Sequence, residues 1–300
     1  MPLSVLKQFA KNWIPPTLWL LLRRLRYGDE ALYKYIGPHW PKDGGAATGW
    51  DDATAAETMR VHWSNYRRIA EGTAPWDRRP WDTRLSDQFA FNDQSAFALA
   101  VALSAHGRER ISVLDWGGAF GHYALIGKTV LPSTRIDYLV KERPAICACG
   151  TELNPDVSFT PDDRVAFSQQ YDLVVAAGSL QYSPDWREIS DRLAASAKDW
   201  LLFSQLPVTD PAHPSLVVRQ RLRRIGIAGD STCWIIDKRE FLDRMYRCGF
   251  LLVRELLSAP LPSGWRGYEF DLHHSPATAE LVGSYESRRR PGRQSAEQHR

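Results

Sequence analysis

The chain is sparing in the features that mark several protein classes. Its four cysteines lack zinc spacing, because Cys147 and Cys149 are separated by one residue and neither a second pair nor a histidine pair accompanies them. Reduced, mostly buried thiols are expected instead, and with them a cytoplasmic compartment. No apolar run approaches the roughly 20 residues that cross a bilayer. The longest near the start, Leu18 to Leu22, is preceded by Pro15-Pro16 and followed by Arg23-Arg24, which also argues against a secretory leader. Charge of one sign is scarce too: the formal net charge is +3, and part of it sits in Arg288, Arg289, Arg290 and Arg293. So mild an excess gives no reason to expect nucleic acid as a partner.

With 300 residues, 44% hydrophobic and 24% charged, the composition is that of a globular protein able to bury a sizeable core. Its most informative stretch is RISVLDWGGAFGHY, Arg110 to Tyr123. Ile111, Val113 and Leu114 make a buried strand that ends in Asp115, and Gly117, Gly118 and Gly121 then turn the chain sharply into a helix. A glycine turn between strand and helix leaves backbone bare for a ligand. A dinucleotide fingerprint starting at Gly117 would need glycine at positions 119 and 122, where Ala119 and His122 stand.

Downstream, strand and helix alternate: strands at Arg135–Val140, Val157–Thr160, Asp172–Ala177 and Trp200–Leu206, helices after Gly121, around Ala145–Leu153 and at Trp186–Ala197. Such alternation implies a mainly parallel sheet with helices on both faces. Pro207 to Ile236 reads as an insertion, Lys238 to Arg247 as a helix, and Leu251–Leu257 and Gly267–Leu272 as closing strands. Upstream, Asp51–Glu71 and Asp93–His106 read as helices, the second capped by Asn92 and closed by Gly107, with an aromatic loop from Pro75 to Phe91 between them. The division expected is an amphipathic arm and connector (1–50), a helical cap (51–109), an α/β catalytic domain (110–275) and a basic, solvated and disordered tail (276–300). Within the arm, Leu3 to Arg26 carries Leu and Trp on one face with Lys and Arg around it. That pattern suits a peripheral contact with the inner membrane face, or an arm docked on the protein's own core or on a second copy in a homodimer.

Asp115, Gly117, Ala119 and Gly121 resemble motif I of class I S-adenosylmethionine-dependent methyltransferases. DLVVAAGSLQY (Asp172–Tyr182), GGAFGHY and the Val140-Lys141-Glu142 strand end resemble, more narrowly, bacterial methyltransferases found beside surface-polysaccharide genes. The resemblance covers roughly residues 110 to 258, with Ala119 standing where such families usually have glycine. It implies a Rossmann-like fold with an antiparallel closing strand, S-adenosylmethionine as cofactor, no metal, and a small-molecule or glycan-precursor acceptor methylated on oxygen or, second, nitrogen. By the same analogy Gly117, Gly118, Ala119 and Gly121 carry the methionine part, Asp115 orients its amino end directly or through water, and Glu142 accepts the ribose hydroxyls. Asp162 is a candidate for the adenine amino group or a turn residue.

Open parallel sheets bind ligands at the carboxyl ends of their strands. Gly178 and Ser179 are expected there beside the methionine group, and Gln181 and Tyr182 at the mouth, facing the acceptor. Alternatively the Tyr182 ring packs on Trp186. His122, His213, His273 and His274 are the acid–base candidates; a helix N-terminus at His122 favours its neutral form. Two other functions share this pattern: a nicotinamide-dependent oxidoreductase, and a cofactor-binding module without catalysis.

Overall fold

A computed structural model describes residues 33–42, 50, 53–70, 85–209, 214–222, 229–260 and 281–289. The strands are β1 (Tyr33–Gly37), β2 (Arg110–Trp116), β3 (Arg135–Lys141), β4 (Ser158–Thr160), β5 (Tyr171–Ala177), β6 (Ala197–Thr209), β7 (Leu216–Arg221), β8 (Asp230–Asp237), β9 (Phe250–Pro260) and β10 (Leu281–Arg289). The helices are α1 (Ala53–Ala70), α2 (Leu85–Ser104), α3 (His122–Val130), α4 (Pro144–Leu153), α5 (Asp163–Ala166), α6 (Trp186–Ser196) and α7 (Lys238–Arg247).

β2 lies in the middle of a parallel set. β3 pairs with it on one side and β5 on the other, β4 continues beyond β3, and β6 continues beyond β5. β10 then runs antiparallel to both β6 and β9. This is the order of the Rossmann-like class I methyltransferase fold, mostly parallel with an antiparallel closing strand. Successive residues of a strand face opposite sides, so Leu114, Val174 and Phe203 join Trp186, Leu193, Phe241 and Met245 under α6 and α7. Val113, Leu173, Val175 and Leu202 join Phe97, Val101, Tyr123 and Ile126 under α2 and α3. The core is therefore two layers with β2 and β5 between them.

Three expectations are corrected. The helix expected from Asp93 begins at Leu85, inside the stretch read as an aromatic loop. Leu85 and Phe89 stand four apart, so the apolar helical period runs through the polar Asn92-Asp93 pair that had looked like a cap. The insertion from Pro207 to Ile236 contains strands: β7 and β8 pair antiparallel, and β1, within the stretch expected as a connector, adds to β7. This ribbon joins the main sheet where Val208 and Thr209 pair parallel with Ile236 and Asp237, just past Gln205, whose φ of +50° redirects β6 after its pairing with β5 ends at Ser204. Finally, a strand occupies Leu281–Arg289, within the stretch given to a solvated tail. There Arg288 lies 5.4 Å over the Trp200 ring, and the Arg289 guanidinium donates to the carbonyls of Ala194, Ala197 and Lys198. Both cations are used structurally. The arm at 3–26 and the strand expected at Gly267–Leu272 lie outside the described residues.

Candidate functional site

The connection through α3 carries the chain from β2 outward to β3, and the one through α5 returns it to the opposite side of β2. Where connections diverge in this way, the carboxyl ends of adjacent strands leave a crevice between them. Asp115, Trp116, Glu142 and Gly178 all stand at that edge.

The glycine turn is shaped by what lies beneath it. Asp115 is fully buried, and its Oδ2 accepts from the Tyr138 hydroxyl at 2.8 Å. A Cβ on Gly118 would fall 2.3 Å from the Asp115 carboxyl carbon, so the carboxylate fills the space a side chain would need. A Cβ on Gly117, whose φ is +77°, would lie 2.2 Å from the Ser179 Cβ. The turns after β2 and β5 thus touch across bare backbone, and the Ser179 hydroxyl fastens them by donating to the Trp116 carbonyl at 2.7 Å. Gly178, at φ +61°, donates its N–H to the Ser204 carbonyl. From below, the Asn154 amide donates to the carbonyls of Phe120 and Gly121, each at 3.1 Å.

Ala119 holds φ +50°, a left-handed conformation costly to a residue with a Cβ. Its N–H donates to Glu142 Oε1 at 3.3 Å, while Glu142 Oε2 accepts from the Arg143 N–H at 2.7 Å. Glu142 is thereby fixed at the lip of the turn by backbone alone. Burial raises its pKa above the ordinary carboxylate value, against the lowering effect of those two N–H groups and of Lys141. The Lys141 ammonium pairs with Asp163 at 2.9 Å and sits 5.3 Å over the Trp116 ring.

The remaining expected residues separate. Asp162 caps α5: its carboxylate accepts from the Arg164 N–H at 2.8 Å and binds the Arg164 guanidinium at 2.9 Å. Its side chain is used as the turn residue that was the alternative. His122 is the first residue of α3, half-buried, with its ring centroid 4.3 Å from that of Tyr123. Burial lowers its pKa to about 4, so it is neutral at pH 7 but a weak base. Gln181 is buried in the short 3-10 turn Leu180–Tyr182. The Tyr182 hydroxyl donates to Gln220 Oε1 at 2.6 Å, and its ring meets Trp50 edge-on at 5.7 Å. The Trp186 ring, which was the alternative partner for Tyr182, lies 6.4 Å from Phe241 under the Arg187 guanidinium. His213, His273 and His274 are outside the described residues. Tyr138, Asn154 and Gln220 went unseen in the sequence, since each acts across the sheet with no local pattern to mark it.

The His122 shift has a sign that can be tested. In the unfolded chain the imidazole takes a proton near 6.5, in the folded chain only near 4. Stability is therefore full above pH 6.5 and falls as pH drops toward 4, by about 1–3 kcal/mol for a half-buried ring. Urea unfolding at pH 7 and pH 4.5 should show a smaller acid loss in His122→Asn than in wild type; equal losses would assign the acid sensitivity elsewhere.

The strand order and the edge together describe a Rossmann-like sheet with the topology of the class I methyltransferase fold. No protein-family model matches the chain, and no curated protein matches its sequence. Among solved structures it is similar to magnesium protoporphyrin IX methyltransferase from Synechocystis PCC 6803 with bound S-adenosylhomocysteine: 15% identity, 78% of this chain and 99% of that one, TM-score 0.45. It is also similar to N-methyltransferase NodS from Bradyrhizobium japonicum WM9: 14% identity, 76% and 98% of the two chains, TM-score 0.40. A third, the 1,6-didemethyltoxoflavin-N1-methyltransferase from Burkholderia thailandensis, has 13% identity, 80% and 88% coverage and a TM-score of 0.41. At these values the similarity is one of fold.

Proposed function

We propose that the chain is an S-adenosylmethionine-dependent methyltransferase that methylates an oxygen of a small molecule or glycan precursor. The observation that carries this is the Glu142 carboxylate, held by two backbone N–H groups at the lip of a glycine turn that admits no side chain at positions 117 and 118. Two oxygens of one carboxylate suit a pair of vicinal ribose hydroxyls. The bare turn at Gly117–Gly121 suits a chain laid against backbone, and Asp115 supports that turn from beneath. The residues therefore fit the cofactor.

When bound, S-adenosylmethionine supplies an already activated methyl group. The protein's part is to orient: Glu142 and the glycine turn fix one reactant, and the 3-10 turn carrying Gln181 and Tyr182 fixes the other. Holding two reactants in register can remove roughly 7–11 kcal/mol of a barrier without acid–base chemistry. His122, with its pKa near 4, is not needed as a base.

A thermal-shift panel of S-adenosylhomocysteine, S-adenosylmethionine, NAD and NADP tests the reading. A ligand at 100 times its Kd should stabilise the fold by about 2.7 kcal/mol, and the first two are expected to do so. Stabilisation by NAD or NADP alone would overturn it in favour of an oxidoreductase.

A further inference from the structure

The β1-β7-β8 ribbon takes no part in holding the glycine turn, yet it meets the turn after β5. Leu216, Val218, Cys233 and Ile235 form a buried patch on one ribbon face, and Tyr35 and Tyr182 pack against it. Alternation along β7 puts Gln220 on the same face as Leu216 and Val218, where its Oε1 receives the Tyr182 hydroxyl at 2.6 Å. Trp50, edge-on to Tyr182, also packs with Ala55 of α1 and Leu222. Two buried polar atoms have no hydrogen-bond partner among the described residues here: Trp50 Nε1, at this junction, and Oε1 of Gln181, which precedes Tyr182 in the 3-10 turn. Each such atom has lost its water without regaining a hydrogen bond, a cost that a ligand of the right polarity recovers.

Building on the methyltransferase reading, we infer that this junction is the acceptor site, that Gln220 is a positioning residue for Tyr182, and that the group recognised is a hydroxyl on a neutral ring. The polarity of the atoms selects it. An amide oxygen only accepts, so the Tyr182 proton is committed to Gln220, and toward any third group the phenol oxygen can only accept. Gln181 Oε1 also only accepts, whereas the Trp50 indole N–H only donates. A hydroxyl satisfies both kinds at once. A carboxylate brings no proton for Gln181 or Tyr182, and an ammonium brings no lone pair for Trp50. A hydroxyl held by its proton also keeps an oxygen lone pair available to a methyl donor, and the aromatic pair of Trp50 and Tyr182 favours a ring to carry it.

The test uses the full chain. Calorimetry with S-adenosylhomocysteine comes first, on wild type, Gln220→Leu, Gln220→Glu and Trp50→Phe, and equal affinities are expected. Saturation-transfer NMR on the S-adenosylhomocysteine-loaded proteins then follows methyl β-glucopyranoside, phenol, benzoate and benzylamine. One or both neutral probes should bind, the glucoside marking a sugar hydroxyl and the phenol an aromatic one. Gln220→Leu and Trp50→Phe should each weaken that probe about tenfold, while Gln220→Glu, which keeps an accepting oxygen, stays within about threefold. Binding of benzoate or benzylamine as strong as that of the neutral probes, silence from both neutral probes, or indifference to Gln220→Leu would overturn the inference with the cofactor reading intact. No heat with S-adenosylhomocysteine in wild type would overturn both.

Discussion

Gly118→Ala is expected to destabilise the protein strongly. The new Cβ would lie 2.3 Å from both Cγ and Oδ2 of Asp115 and 2.8 Å from Oδ1. The carboxylate cannot easily retreat, because it is fully buried and tied to the Tyr138 hydroxyl, itself in the core. Either the turn moves or the buried hydrogen bond breaks; overpacking and an orphaned polar group together cost about 3–5 kcal/mol. That corresponds to a fall in Tm of about 10 °C. Gly118 does not have a positive φ, so the effect is one of space alone. Asp115→Ala should therefore relieve it: the double variant should be less destabilised than the sum of the singles, which measures the clash directly. A Gly118→Ala protein that melts with wild type would mean that the turn does not rest on Asp115.

Glu142→Ala is expected to weaken S-adenosylhomocysteine by 10- to 100-fold, the worth of about 1.5–3 kcal/mol in charge-assisted hydrogen bonds. The structure adds a second route to the same loss. Glu142 also anchors the Ala119 N–H while that residue holds its left-handed φ of +50°, so the variant could act by loosening the turn. Ala119→Gly separates the two, since glycine adopts that φ without being held. If Glu142 binds the ribose itself, Ala119→Gly leaves Glu142→Ala weak; recovery of affinity in the double variant would reduce Glu142 to a support. Calorimetry of the four proteins decides between them. Affinity should also decline on acidification sooner than an ordinary carboxylate would dictate, because burial raises the Glu142 pKa and the protonated form accepts less well.

The parts of this architecture that were readable in the sequence carry their signals locally. α7 begins and ends as expected, at Lys238 and Arg247, since the Asp237 carboxylate accepts from the N–H groups of Arg239 and Glu240 and Gly249 follows at φ +93°. The glycine turn is equally local. The ribbon was not readable as part of the sheet, because β1 and β7 pair across more than half of the chain and nothing at Tyr33–Gly37 announces Gln220 and Val218 as its partners. β10 was missed for a related reason: its Gly-Ser-Tyr-Glu-Ser-Arg composition suggests solvent, and neighbours on both sides make it a strand. The placement of Asp115, Glu142 and the glycines at the sheet edge was legible because strand ends and turns mark them. The Tyr182–Gln220 hydrogen bond, spanning 38 positions, was not.

The placement of β10 also sets the order in which the protein can be completed during synthesis. β6 and β9 do not pair with each other; both wait for Leu281–Arg289 to slide between them. While that segment is still in the ribosome, β6 shows one open edge and β9 two, and Leu251, Leu252 and Val253 on β9 are more than 40% exposed even in the finished fold. Such edges are templates for pairing with another nascent chain. The molecule is thus most prone to aggregation in the interval just before its closing strand emerges, and an interruption of translation ahead of Leu281 would leave the glycine turn formed on β2 but the sheet open beside it.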